Sequence, residues 1–237
     1  MSKVTPDAIA DAVAPAGLIV RGGFHAESAD GVPPLPDGRA AATVVLIGNA
    51  GAAMWDAFQA SDPGPGPEQR NPLDSWLKPQ IEAVAASVGA HPIFPNEGPP
   101  YPPIQDWARR AEPVHRSPIG LMIHPRFGLW HVYRAALCFA ERLEVPPRAD
   151  IASPCETCED KPCLQVCPAD AFGPTAFNAE ACLAHVEGAA GGACREGGCM
   201  ARRACPVGRD YLYPRPAQAF HTAAFMRAAR RHLGAAS

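Results

Sequence analysis

The sequence predicts an α+β protein, with a mixed α/β domain over residues 1–150, a cysteine-rich domain over residues 151–215 and a final helix over residues 216–237. Three observations support this division. The β-branched, apolar run at residues 43–47 is typical of a buried strand. Apolar residues in the stretch 71–88 recur at helical spacing. Eight of the nine cysteines lie between Cys155 and Cys205, where regular periodicity stops.

Strand and helix signals alternate in the first half of the chain. Residues 6–13 predict a short helix, residues 18–20 a first strand and residues 43–47 a second. A brief helix is expected at residues 54–60, after a turn rich in Gly and Asn. Pro and Gly dominate residues 62–67, which indicates a surface loop.

The clearest helix signal begins at Asn71, which is followed by Pro72 and Asp74. A capping residue, a proline in the first helical position and an early acid all favour a helix start, although Pro79 predicts a kink. The apolar stripe consists of Leu77, Ile81, Val84 and Val88. The six prolines of residues 92–103 exclude a helix or a central strand there, and another helix is expected at residues 104–111.

The remaining apolar segments are predicted as core elements. Residues 120–123 and 129–139 are joined by a bend at residues 124–128. Helical spacing returns at residues 217–233, where Phe220, Ala224, Phe225 and Leu233 form the expected packing face. From Arg195 onward there are eight arginines and two acidic residues. Arginines near a helix end complement the helix dipole, so a nucleic acid partner is not expected.

Composition predicts a cytoplasmic protein that does not enter a membrane. Hydrophobic residues make up 47% of the chain, but no apolar run approaches the ~18 residues that a membrane span requires. The first 15 residues lack the apolar core of a secretory signal. In a chain without an export signal, clustered cysteines indicate metal binding rather than disulfides.

The cysteine spacing predicts two 4Fe–4S clusters. The run C-x2-C-x4-C-x3-C-P resembles the ferredoxin motif, in which three thiolates on one loop bind one cluster and the fourth binds the other. The crossed assignment therefore gives one cluster Cys155, Cys158, Cys163 and Cys205, and the other Cys167, Cys182, Cys194 and Cys199. The alternatives are one cluster with a zinc site, two zinc sites, and a partition in which the ligands stay within their own halves of the run. Cys138 is predicted to be a buried, inert residue.

Residues 123–130, Ile-His-Pro-Arg-Phe-Gly-x-Trp, resemble the core of the CblC-type cobalamin-processing proteins. Together with the cysteines, residues 108–206 also resemble epoxyqueuosine reductases and, more distantly, reductive dehalogenases. The resemblance implies a nitroreductase-like domain that binds cobalamin, with Arg126 holding an anionic thiol co-substrate and with His124 and Trp130 beside it. Asp106 does not align with the acid of epoxyqueuosine reductases, so that reaction is not expected.

The leading hypothesis is a corrinoid-dependent reductase or cobalamin-processing protein in which two clusters pass electrons to cobalt. A redox partner protein would supply those electrons. The alternative is a two-cluster ferredoxin-type electron carrier fused to a domain without a cofactor. No residue is assigned a catalytic role from the sequence.

Overall fold

The computed structural model describes residues 4–62, 71–173 and 176–234, so most of the predicted loop at residues 62–67 lies outside the described residues. The strands are β1 (Ile19–His25), β2 (Thr43–Ala50), β3 (His91–Ile93), β4 (His115–Arg116), β5 (Met122–Ile123) and β6 (His131–Phe139). The helices are α1 (Pro6–Val13), α2 (Ala53–Ala60), α3 (Pro72–Val88), α4 (Ile104–Ala111), α5 (Pro162–Gln165), α6 (Ala179–Glu187), α7 (Gly192–Gly197), α8 (Met200–Ala204) and α9 (Arg215–Gly234).

The described residues divide into two compact units. The first contains the chain up to Val114 together with His131–Ile151, and the second contains His115–Trp130 together with the chain from Ala152 onward. The sequence-based boundary at residue 150 assigned residues 115–130 to the first domain, whereas the structure places them with the cysteine-rich part. The final helix α9 also belongs to that second unit.

A four-stranded antiparallel sheet in the order β1-β2-β6-β3 forms the centre of the first unit. Strand β2 is paired on both sides, and its residues from Thr43 to Asn49 are all buried. Such burial explains its almost continuous apolar sequence, since a strand covered on both faces has no polar side. The prediction of mixed α and β structure is confirmed for this unit.

The helices of the first unit begin and end close to the predicted positions. Helix α3 starts with Pro72 after Asn71, and it continues through Pro79 to Val88. Helix α4 spans the predicted Ile104–Ala111. Strand β3 includes Pro92, where the sequence had excluded a helix or a central strand. The structure agrees with this expectation because β3 is an edge strand, where a missing N–H costs no interior ladder bond.

A buried polar cluster connects three elements of the first unit. Arg21 is 1% exposed and forms a salt bridge with Glu112, to which Tyr133 also donates a hydrogen bond. Arg21 Nη2 lies 3.2 Å from Nδ1 of His131. Burial raises the pKa of Glu112, and the attraction of Arg21 offsets part of that effect. Breaking such a buried pair costs about 3–5 kcal/mol, so the cluster fixes β1, β6 and the end of α4 together.

The second unit combines short helices with the two-stranded hairpin β4-β5. After the hairpin, His124 and Gly128 exchange backbone hydrogen bonds around a tight loop. Gly128 has φ +57°, and a methyl group in place of its hydrogen would lie 2.0 Å from the carbonyl oxygen of Val207. Only glycine fits this approach, which brings the loop against the segment that follows Cys205.

Helix α9 was expected to pack through Phe220, Ala224, Phe225 and Leu233, and all four are half-buried. Its fully buried residues are instead Ala217, Gln218 and Ala229. Phe225 still makes an aromatic contact with Phe177, with ring centroids 6.0 Å apart. None of the helices in the described ranges is both long and apolar enough to cross a lipid bilayer.

Candidate metal centre

The first group of four cysteines joins three early thiols to the last cysteine of the chain. Cys155, Cys158, Cys163 and Cys205 line a small cavity of about 20 Å³. Cys163 lies at the start of α5, and Cys205 directly follows α8. The Cys205 and Cys163 side chains pack against the apolar residues Ile123 and Leu129, which come from the hairpin region.

The second group joins Cys167 to three later thiols. Cys167, Cys182, Cys194 and Cys199 line a larger cavity of about 460 Å³. Cys182 lies in α6, Cys194 in α7, and Cys199 immediately before α8. All nine cysteines of the chain are free thiols. The structure therefore brings the eight predicted ligands together in the two sets that the crossed assignment requires.

Electrostatic coupling between the thiols follows the same two sets. Burial raises the pKa of Cys163, and the neighbouring thiols Cys205, Cys155 and Cys158 raise it further. Burial also raises the pKa of Cys182 to about 11, with added repulsion from the other three members of its own group. Four neighbouring thiolates are unfavourable without a bound cation, because each one raises the cost of ionising the next.

The chemistry of each donor set fits an iron–sulfur cluster. Thiolates are the ligands that both 4Fe–4S clusters and zinc select. The backbone N–H groups of Ala201 and Arg202 donate to the sulfur of Cys199, and that of Val207 donates to Cys205. The N–H of Ala171 lies 3.5 Å from the sulfur of Cys167. Such N–H···S hydrogen bonds stabilise thiolate ligands and tune their redox potential.

Ser117 adds an unused donor to the first group. It lines the smaller cavity, is 5% exposed, and its hydroxyl has no hydrogen-bond partner in the described part of the protein. A buried hydroxyl without a partner costs free energy, whereas a sulfur acceptor in the cavity would satisfy it. Ser117 therefore fits a cavity filled by an electron-rich, sulfur-containing group.

Within residues 4–62, 71–173 and 176–234, no three His, Cys, Asp or Glu side chains are arranged to hold a single metal ion. Four ligands of one zinc ion must all reach the same atom.

Cys138 belongs to neither group. It lies in β6, is 1% exposed, and burial raises its pKa to about 12. This environment confirms the prediction of a buried, unreactive thiol, since a thiolate is the reactive form.

The motif residues His124, Arg126 and Trp130 all lie in the second unit. His124 Nδ1 accepts hydrogen bonds from the backbone N–H groups of Arg126 and Phe127, at 3.0 and 3.2 Å. Trp130 is 1% exposed, and the guanidinium of Arg202 lies 4.4 Å from its ring centre. His124 therefore has a structural role in closing the loop. Trp130 has a structural role in the packing of the second unit's interior.

Arg126 differs from its two neighbours because it is exposed. Its Nε donates to the hydroxyl of Tyr211 at 2.7 Å, and its guanidinium lies 5.8 Å from the same ring. Of the three motif residues, Trp130 lines the larger cavity, while Arg126 and His124 line neither cavity described above. The structure thus does not gather the three around one pocket.

Two residues near the thiols were missed by sequence reasoning. Ser117 and Gln218 each carry a buried polar atom without a hydrogen-bond partner in the described residues, and each lines one of the two cavities. A serine in a short hairpin and a glutamine on an amphipathic helix are common at exposed positions, so their types gave no signal.

Comparisons with known proteins add little to this picture. No family model matches the chain, and no curated protein is similar enough to count as a relative. One solved structure that aligns with it is a B12-trafficking protein CblC of C. elegans, described as a homologue of human MMACHC. The alignment covers 65% of this chain and 79% of that one, with 16% identity and a TM-score of 0.46. Similarity at this level assigns neither fold nor function.

Proposed function

We propose that this protein transfers electrons through two 4Fe–4S clusters bound by its second unit. One observation carries the proposal: Cys205 lies with Cys155, Cys158 and Cys163, and Cys167 lies with the three later cysteines. This exchange of one ligand between two sequence motifs is characteristic of two-cluster ferredoxin-type sites. The region resembles a ferredoxin in this ligand pattern.

The residues around the thiols have two different roles. Bound clusters would supply one-electron redox chemistry at these sites. Ile123 and Leu129 cover the first group and limit the access of water to it. The N–H groups of Ala201, Arg202 and Val207 donate to thiolate sulfurs, which lowers the cost of holding negative charge in a buried place.

Metal analysis tests the proposal directly. After anaerobic reconstitution, we expect about eight iron and eight acid-labile sulfide per chain, because each four-thiol group would hold one cubane. Zinc should be present only in traces. About four iron with stoichiometric zinc would indicate one cluster and one zinc site, and zinc alone would overturn the proposal.

A corrinoid is the second candidate, as the electron acceptor of the clusters. Its support is the sequence motif of residues 123–130 and the exposed guanidinium of Arg126, which is suited to binding an anionic group. The larger cavity, about 460 Å³, is of the size that binds drug-like molecules. A redox partner protein remains the proposed electron donor.

Spectroscopy and one variant pair test this second candidate. Mixing the reconstituted protein with cob(II)alamin should shift its spectrum to the base-off form, and Arg126→Ala should weaken binding by about 1–3 kcal/mol through loss of a charged hydrogen bond. Iron content should not change. Tyr211→Phe is the matched control, because it removes the partner of Arg126 Nε but keeps the guanidinium. Without any spectral shift, the electron carrier without a corrinoid is the remaining function.

A further inference from the structure

Arg202 places a positive charge beside the second cysteine group. It lies in α8 and lines the larger cavity together with the four thiols of that group. Its backbone N–H donates to the sulfur of Cys199, the residue that immediately precedes the helix. No carboxylate occurs among the described residues that line this cavity, so the guanidinium has no acidic partner there.

The guanidinium of Arg202 is held in one position. Its Nε and Nη2 donate to the carbonyl oxygen of Leu129, at 3.0 and 2.6 Å. The ring centres of Trp130 and Tyr213 lie 4.4 and 4.8 Å from its central carbon. Burial lowers the pKa of Arg202, whereas Tyr213 and the sulfur of Cys199 raise it. Because an arginine keeps its proton in proteins, a full positive charge is fixed at this place.

The first cysteine group has a charge of a different kind. Lys161 lines the smaller cavity, but it is exposed, and its Nζ lies 3.5 Å from the carbonyl oxygen of Cys158. Arg116, at the larger cavity, is exposed as well. Water and salt screen exposed charges much more strongly than buried ones. Arg202 is half-buried, and it therefore makes the main electrostatic difference between the two groups.

The acidic residues near the thiols do not cancel this difference. Glu156 and Glu159 lie in the loop of the first group, and Asp170 and Glu180 lie close in sequence to ligands of the second. All four are exposed, and none lines either cavity. The hydroxyl of Ser117 favours the first group, but a neutral donor contributes less than a charged one.

A fixed cation changes the reduction potential of a nearby redox centre. Reduction adds one electron and therefore one negative charge, so a neighbouring cation stabilises the reduced form more than the oxidised form. We propose that Arg202 gives the second cysteine group the higher of the two reduction potentials, so that a single electron from a one-electron donor resides there. This inference rests on the proposed function. It gives electron transfer a direction, from the first group toward the second.

The order of the two potentials tests the proposal without any change to Arg202. Redox titration of the reconstituted, full-length protein, followed by electron paramagnetic resonance, measures both, and the signal lost in Cys182→Ser identifies the second group. We expect the second group to hold the electron about tenfold more often than the first, a difference of about 59 mV in a one-electron couple. Equal potentials, or the opposite order, would overturn the proposal.

Two substitutions of Arg202 separate its charge from its packing. Arg202→Gln keeps an N–H donor for the carbonyl oxygen of Leu129 but removes the charge. It should make the second potential more negative by about 59 mV, a tenfold loss of preference, and leave the first potential unchanged. Arg202→Lys keeps the charge and should retain most of the preference, although it loses the planar donor fork.

Arg203→Gln is the matched control, because Arg203 is the next residue of α8, is half-buried and lines neither cavity. It removes the same charge from the chain but should cause a much smaller shift. Equal shifts in Arg202→Gln and Arg203→Gln would contradict the proposal. Iron content of the same samples separates the two proposals: protein that binds no clusters overturns the proposed function, whereas about eight iron per chain with the wrong order of potentials overturns only the role of Arg202.

Discussion

The two cysteine groups each contain four thiols but have different surroundings. The first encloses about 20 Å³ beside a buried hydroxyl donor, Ser117, and the second borders about 460 Å³ beside a buried amide acceptor, Gln218. A hydrogen-bond donor can pair with the sulfur atoms of thiolates or of a cluster, whereas a hydrogen-bond acceptor cannot. The thiols determine which cofactor could bind. The neighbouring residues determine how much space and which hydrogen-bonding groups lie beside it. Under the proposed function each group would hold one cluster, and only the second group has further space beside its thiols.

Substitution of single cysteines should have the largest effect on this comparison. Cys205→Ser should abolish or shift only the electron paramagnetic resonance signal of the first cluster, because serine is a weaker ligand in one of its four positions. Cys182→Ser should affect only the signal of the second.

Cys138→Ala is the matched control for both variants, since Cys138 lies in the buried strand β6 outside either group. It should leave the iron content and both signals unchanged. If Cys205→Ser and Cys199→Ser remove the same signal, the ligands are not exchanged between motifs and the comparison fails.

A glycine pair tests whether the first site depends on a close backbone approach. Gly128 and Gly120 have φ values of +57° and +80°, but only Gly128 would collide with a neighbour after gaining a methyl group. Gly120→Ala should cost roughly 1–2 kcal/mol of unfolding free energy from backbone strain alone. Gly128→Ala should cost roughly 2–4 kcal/mol, because Val207 must also move.

Urea unfolding measures the stability of both glycine variants, and iron analysis measures the site. Because Val207 lies two residues after Cys205, Gly128→Ala should also lower the iron content of the first group while sparing the second. Equal effects of the two substitutions would show that the contact with Val207 is not needed to form the first site.

The smallest expected effect is a shift in reduction potential. Ser117→Ala removes the unused hydroxyl next to the first group, and it should make that cluster's potential more negative by roughly 20–60 mV, the equivalent of one neutral hydrogen bond in a one-electron couple. Gln218→Met, at the other group, should leave this potential unchanged. Redox titration followed by electron paramagnetic resonance measures both. No shift in Ser117→Ala would mean that the hydroxyl does not reach a sulfur atom.

Much of the fold could be predicted from local sequence signals. The Asn71-Pro72 start signal and the periodicity after it correctly located α3, although the Asn71 side chain makes no capping hydrogen bond, and residues 104–111 form α4 as expected. The continuous apolar run at residues 43–47 correctly indicated a buried strand. These signals work because caps, prolines and side-chain periodicity act within a few residues.

Other features depended on contacts between distant parts of the chain. The resemblance implied that His124 and Trp130 lie beside Arg126 at a pocket, and this stays a prediction. The structure shows that His124 closes a loop and that Trp130 is buried under Arg202. It also placed residues 115–130 with the cysteine-rich unit rather than with the sheet. A short motif identifies residue types but does not say against which surface they will pack.

By itself, the sequence determined the number of thiols, their soft-metal chemistry and the order in which they occur. Only the tertiary structure decided that Cys205 returns to the first three cysteines, that one group is closed and the other borders a cavity, and that Ser117 and Gln218 lie unpaired beside them. The physical reason is the distance along the chain over which each property is determined. Ligand preference is a property of a single side chain, whereas enclosed volume and the pairing of buried polar atoms result from the packing of many residues that are far apart in sequence.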